Sequence, residues 1–309
     1  MYWIVFVYLF LLSFYAFGEQ LTNQDVDVSS GSTLSNDAGL TVRELTGGLY
    51  TIDNRGTIEA SNITSNNSTI RMEVGTTVDN SGLIDTDGSA NLNSIHFIDN
   101  SESNSLTNSG TIQTETTGNY GQAIHVENTN LTEITNSSGG VIKVTDSALN
   151  SGAIRVSGSS SVNIITNNET ISAVGTTHSR GILSINSATI DRVTNTGTIS
   201  ASGASNSNYG IVFWNNSGTT VTNSGTIQST GGNYSYGIRL GEDGSISTIK
   251  NTGTIKGGKD GISNTGNVTN IVNTGTITGT SGYGIHNGDG SITNLTNSQN
   301  NLNIIGNLP

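Results

Sequence analysis

Beyond residue 50 the chain runs as short apolar-centred segments with period-two alternation, separated by Gly, Asn, Ser and Asp. This pattern predicts strands of three to five residues, because successive side chains of a strand face opposite sides. No 3.6-residue apolar stripe is sustained after residue 17, so helices are not expected. Three kinds of strand recur in a fixed order. One follows a corner phrase, "TNSGTIQ", found letter for letter at 107–113 and 222–228, with relatives "TNTGTIS" at 194–200, "KNTGTIK" at 250–256 and "VNTGTIT" at 272–278. A second opens on Gly-Ile, as in "GIVFW" at 210–214 and "GIRL" at 237–240, with looser forms "AIHV" at 123–126 and "AIRV" at 153–156. The third precedes each corner Asn, as in "TEIT" at 132–135 and "NIIT" at 163–166.

The corner phrase sets the period. Asn-x-Gly-[Thr/Leu]-Ile starts at Asn54, Asn80, Asn108, Asn195, Asn223, Asn251 and Asn273. Degenerate copies start at Asn136 and Asn167, where Glu169 takes the Gly slot, and a worn copy starts at Asn297. Successive starts differ by 26, 28, 28, 31, 28, 28, 28, 22 and 24 residues, so fixed spans alternate with elastic loops. Three strands in about 28 residues leave no room for a helix. The expectation is an all-β chain, a right-handed parallel β-helix (solenoid) of nine to ten coils. Loops at 114–119, 201–208 and 230–235 are expected to stand outward.

In such a coil Ile112, Ile199, Ile227, Ile255 and Ile277 stack in one inward column, each contributing about 1.5–3 kcal/mol on burial. The Thr before each of them faces out. The Gly two before the Ile marks either a corner with positive φ or a close backbone approach. Asn108, Asn195, Asn223, Asn251 and Asn273 are expected to form a ladder of turn hydrogen bonds, a reading favoured over a glycan or ion site.

Composition supports this over disorder. Only 32% of residues are hydrophobic and 11% charged, yet Ile, Val and Thr are abundant, which suits narrow strands. A net charge of −12 speaks against a nucleic-acid partner. With no Cys there are no disulfides or thiolate metal sites. Residues 2–17 are almost wholly apolar, with small residues before position 19, so residues 1–18 are expected to be a secretory signal peptide and the protein exported. Residues 19–50 are expected to form an N-terminal cap, and 51–309 the repeats.

Candidate chemistry is sparse. Asp85-x-Asp87-Gly88 is the densest acidic spot and is expected to be a turn. His96 and His125 fall in one column of the Gly-Ile strands with Arg155, Leu183, Val212, Arg239, Ser263 and His286, a series expected to face solvent. No metal, cofactor or catalytic residue is assigned. Tyr120, Tyr209, Tyr236 and Tyr283 each precede a Gly at the start of such a strand, and Trp214 follows Phe213. The expected binding residues are Tyr209, Trp214, Tyr236 and Tyr283, which could stack sugars or shield Gly-rich corners.

The run of Asn-[Ser/Thr]-Gly-Thr-Ile coils behind an apolar leader resembles the β-helical passenger domains of bacterial autotransporters over about residues 50–300. The resemblance implies export to the cell surface, the outer membrane or the medium, and a non-enzymatic, adhesin-like role. Surface glycans or proteins of other cells would be the partners. It also implies an outer-membrane β-barrel, which is not encoded in these 309 residues and suggests a truncated chain. The rival expectation is a carbohydrate-active enzyme, such as a polysaccharide lyase, or a glycan-binding protein on the same scaffold.

Overall fold

The computed structural model describes four short strands before residue 50, namely Gln20–Thr22, Val26–Val28, Thr33–Ser35 and Leu40–Arg43. From 50 to 306 it describes all residues except 65–66, 74, 100–102, 148, 216–218, 301 and 303. Residues 1–18, expected as a signal peptide, lie outside the described residues. Among the described residues there are only strands and the turns between them, and no helix is long and apolar enough to cross a membrane.

The strands form three parallel sheets in which each strand pairs with the third one along the chain, except that Ile285–Asn287 pairs with the second, Ile304–Gly306. The Gly-Ile strands make sheet A, with 12 strands; those preceding the corner Asn make sheet B, with 11; and the Thr-Ile strands make sheet C, with 10. The chain is therefore an all-β solenoid. About eight coils hold to a length near 28 residues, fewer than the nine to ten expected. The rungs at the ends are shorter: three- and four-residue strands before residue 44, and steps of 22 and 24 residues after Asn251.

Register follows the phrase. Ile84 pairs with Ile112, Ile199 with Ile227, Ile227 with Ile255 and Ile255 with Ile277. All of them are at most 1% exposed. No single coil can bury its own Ile, so the column is a product of stacking. Corner Asn side chains stack above it. From Asn54 to Asn297 each Nδ2 donates to the Oδ1 of the next Asn at 2.6–2.8 Å. Nδ2 of Asn223 also meets Gly225 O at 3.2 Å and Thr254 O at 3.1 Å, closing the turn and tying it to the next rung.

The Gly of the phrase is required by close approach. A Cβ on Gly225 would fall inside contact distance of Gly197 O, and the same clash recurs from Gly253 onto Gly225 O. Glu169 can stand in this column because the corner below it is longer. Asn136 there bonds Gly140 O, four residues on, instead of the usual two.

The six residues missing from the 22-residue coil are not taken from one loop. Sheet A's strand shortens from seven residues (Tyr234–Leu240) to five (Asp260–Asn264). The connections on either side of it each fall from four residues to two. The second of these is Thr265-Gly266, which with the strand's last residue makes Asn264-Thr265-Gly266, the ladder phrase used at another corner. Asn264 Nδ2 donates to Asn287 Oδ1 at 2.6 Å, starting a second, short ladder that the sequence reading missed. Asp85 also differs from expectation: Asp85 and Asp87 lie within the strand Leu83–Gly88, not in a turn. Phe213 is a fully buried core residue.

Replacing Asn223 with Ala removes a donor and an acceptor that both sides of the ladder need. An expected loss of about 2–4 kcal/mol contrasts with less than about 1 kcal/mol for Asn297→Ala at the exposed end. Denaturant unfolding of the two variants measures this, and equal losses would show that the ladder contributes nothing beyond local turns.

Candidate functional site

The outer faces of sheets B and C carry Thr, Ser, Asn and Gln interspersed with charges such as Asp79, Asp85, Glu115, Lys250 and Lys256, whereas sheet A's differs in kind. On sheet A lie all four His, Trp214, and Tyr120, Tyr209, Tyr234, Tyr236 and Tyr283. Four side-by-side columns run along this face, and the pairing register fixes them. Tyr120 aligns with Asn150, His178, Ser207 and Tyr234. The next column holds Gln122, Gly152, Arg180, Tyr209, Tyr236 and Asp260. The third holds His96, His125, Arg155, Leu183, Val212, Arg239, Ser263 and His286, as the sequence reading has it. Glu127 pairs with Ser157 at the edge of the face, where Trp214 takes the equivalent place three rungs on.

Tyr120 is thus not in line with Tyr209, Tyr236 and Tyr283. Register is set by the core Ile and not by the neighbouring Gly, and Tyr120 stands four residues before Ile124 where Tyr209 stands two before Ile211. Tyr209 and Tyr236 stack on each other, with ring centroids 5.7 Å apart and planes 6° from parallel. Each is only 7% exposed. Trp214 meets Tyr209 edge-on at 5.9 Å and lies half-buried over Gly241, where a Cβ would collide with the indole. With Leu183 and Val212 these rings form an apolar cluster outside the main core. Tyr283 stands apart from it, its ring 5.9 Å from that of His286 and its backbone N–H donating to Asp260 Oδ1 at 2.7 Å.

The His column is not a solvent face at this end. His96 and His125 are 6% and 8% exposed, because rungs about 4.8 Å apart let long side chains cover one another. Their rings stack at 4.5 Å and 5°. A carboxylate stands beside them after all. Glu127, two residues after His125 and so on the same face, accepts a hydrogen bond from His96 Nε2 at 3.1 Å. His125 Nε2 bonds Ser157 Oγ at 2.9 Å.

His96, His125 and Glu127 place one donor atom each within 4.8 Å of the others, which raises the question of a metal. The ring geometry fits poorly. An imidazole binds an ion in its own plane, and two parallel stacked planes share no point. Arg71 and Arg155 also flank the pair along the column, adding positive charge where a dication would sit. Burial lowers the pKa of His96 to about 4, with Arg71 and Arg155 adding to the effect and Asp99 and Glu73 opposing it. Burial likewise lowers that of His125, helped by His96 and Arg155. Both rings are neutral in the folded protein at pH 7.

Four cations lie over rings on this face: Arg155 over Tyr120 at 6.0 Å, Arg180 over Trp214 at 5.5 Å, Arg239 over Tyr236 at 5.7 Å and Lys259 over Tyr234 at 5.3 Å. Burial lowers the pKa of Arg180 to about 10, still charged at neutral pH.

The neutral His pair predicts acid sensitivity. The unfolded chain takes up protons below about pH 6.5, while folded His96 resists until about pH 4. The stability it contributes is therefore complete above pH 6.5 and is lost as pH falls from 6.5 towards 4, by about 2–4 kcal/mol for this residue. Unfolding titrations at pH 7 and pH 4.5 should differ less in His96→Gln/His125→Gln than in the parent, and an unchanged difference would contradict the assignment.

No family model, curated protein or solved structure matches this chain.

Proposed function

We propose that this protein is an exported, non-enzymatic β-solenoid of the autotransporter-passenger kind, adhesin-like, with the outer face of sheet A as its contact surface. The single observation that carries the reading is the inequality of the three faces. Sheets B and C mix recurring Thr, Ser and Asn with scattered carboxylates and a few Lys, while the third gathers the imidazoles, Trp214, most of the described Tyr rings and most of the described Arg side chains. A scaffold needs only repetition, so a face that departs from it in one consistent chemical direction points to recognition. Export is supported by the apolar stretch at 2–17. Glycans or proteins of other cells are the partners this reading implies.

Glycan binding is favoured over glycan cleavage by a distance. The two carboxylate–imidazole pairs of the face are Glu127 with His96 and Asp260 with His286, the latter at 3.3 Å. Five rungs separate the coil of His125 from that of Asp260, about 24 Å at β spacing. Paired carboxylates of glycoside hydrolysis stand about 5–9.5 Å apart, so these two pairs cannot serve one bond.

Cells or beads displaying the chain should attach to a target cell surface through this face. Trp214→Ala with Tyr120→Ala is expected to cut attachment about tenfold or more, and Thr166→Ala with Thr222→Ala on sheet B to leave it unchanged. Equal effects of the two pairs would sink the assignment of the face.

A further inference from the structure

Sheet A's face has a charge balance opposite to that of the chain. Within its strands Arg71, Arg155, Arg180 and Arg239 stand against Glu127 and Asp260, with Lys259, Glu73 and Asp99 in flanking connections, in a chain with 23 acidic residues and 11 basic ones. The cations differ in what they hold. Arg71 Nε bonds Glu73 Oε1 at 2.8 Å, and Arg239 donates to Ser263 Oγ at 2.7 Å and Thr265 Oγ1 at 3.2 Å. Arg155 and Arg180, on adjacent rungs, make no hydrogen bond or ion pair among the described residues, and the Nε of each is buried without a partner. His178 Nδ1, on the rung of Arg180, is likewise buried and unpartnered.

The two free guanidiniums are nevertheless held in place. Arg155 crosses the column where Gly152 has no side chain and lies on Tyr120, while Arg180 crosses the Leu183–Val212 platform and lies on Trp214. Both aromatic shelves carry a cation, and the faces of Tyr209 and Tyr236 are spent on each other. Apart from Tyr283 near the far end, the rings a neutral sugar would stack on are thus occupied, and around Arg155 and Arg180 the face offers oriented donors instead. Unsatisfied guanidinium donors in a desolvated setting favour a planar, bidentate anion. Along the axis the rungs recur about every 4.8 Å, close to the length of one sugar unit.

We propose that Arg155 and Arg180, oriented by Tyr120 and Trp214, form an anion subsite for the carboxylate of a uronate-containing polysaccharide laid along the solenoid axis. The proposal rests on sheet A being the contact face and names the chemical class of its ligand.

Calorimetric titration of the full chain with oligogalacturonate, its methyl ester, dextran sulfate, poly-glutamate and a short DNA duplex tests it. Oligogalacturonate should bind with an affinity that falls as salt rises, and the methyl ester at least about tenfold more weakly. Arg155→Gln and Arg180→Gln should each weaken binding about tenfold, and Arg239→Gln, whose donors are already engaged, less than about threefold. Should Arg180→Gln not fold, judged by Trp214 fluorescence, Arg180→Lys keeps the charge but not the fork and should still lose affinity. The proposal is overturned if ester and acid bind alike, if the Arg155 and Arg180 variants bind like the parent, or if dextran sulfate, poly-glutamate or DNA is preferred. Attachment that needs Trp214 with uronate binding that ignores Arg180 would sink the subsite and leave the contact face standing. Arg180-dependent uronate binding by a chain that attaches to no surface would do the reverse.

Discussion

One side-chain amide per coil, hydrogen-bonded to the amide above and the amide below, sets the register on which everything else depends. Asn108 accepts from Asn80 at 2.7 Å and donates to Asn136 at 2.8 Å, and the chain of bonds continues from Asn54 to Asn297. A strand slipped by one residue would turn its core side chains outward. It would also leave buried amides unpaired, at about 1–3 kcal/mol each. The ladder therefore places Ile over Ile in sheet C and forces Gly beneath Gly at the corner, where no Cβ fits. It is built only from groups that each repeat supplies identically, which is why the sequence must keep repeating itself.

The position of the candidate site follows from where that constraint is weakest. Sheets B and C meet at the ladder through a connection of two residues in every described coil but the one at 137–140. Sheet A is joined to both neighbours by connections of two to six residues, so its strands answer to the ladder only indirectly. Insertions, losses and large side chains are tolerated there. Rung spacing then does the rest: Arg, His, Tyr and Trp on neighbouring rungs lie within reach of each other and bury one another's polar atoms. Desolvation on this outer face keeps His96 and His125 neutral and leaves Arg155 and Arg180 charged with donors unspent.

Much of this was legible. The Asn spacing fixed the ladder and the Ile column residue by residue, and the third column of sheet A could be written down in order. Signals were also present but unread: Glu127 two residues beyond His125, and the Asn-Thr-Gly at 264–266 that repeats the ladder phrase at a second corner. Tyr120 was misplaced because the adjacent Gly was taken as the marker in place of the Ile that packs. Alternation along the strand puts Phe213 in the core and leaves Trp214 at the outer edge.

By itself the sequence determined the all-β class, the three strands per coil, the identity of the stacked corner residues and the absence of disulfides, because each is a local or strictly periodic property. Only the tertiary structure decided how residues a full coil apart share one outer face. Side chains that meet across rungs are some 24 to 35 positions apart, through connections of variable length, so no fixed spacing announces them. Arg180 over Trp214, His96 against His125 and Tyr209 on Tyr236 exist because the hydrogen-bonded rungs bring distant segments to about 4.8 Å, and the desolvation that gives these groups their character is a consequence of that approach.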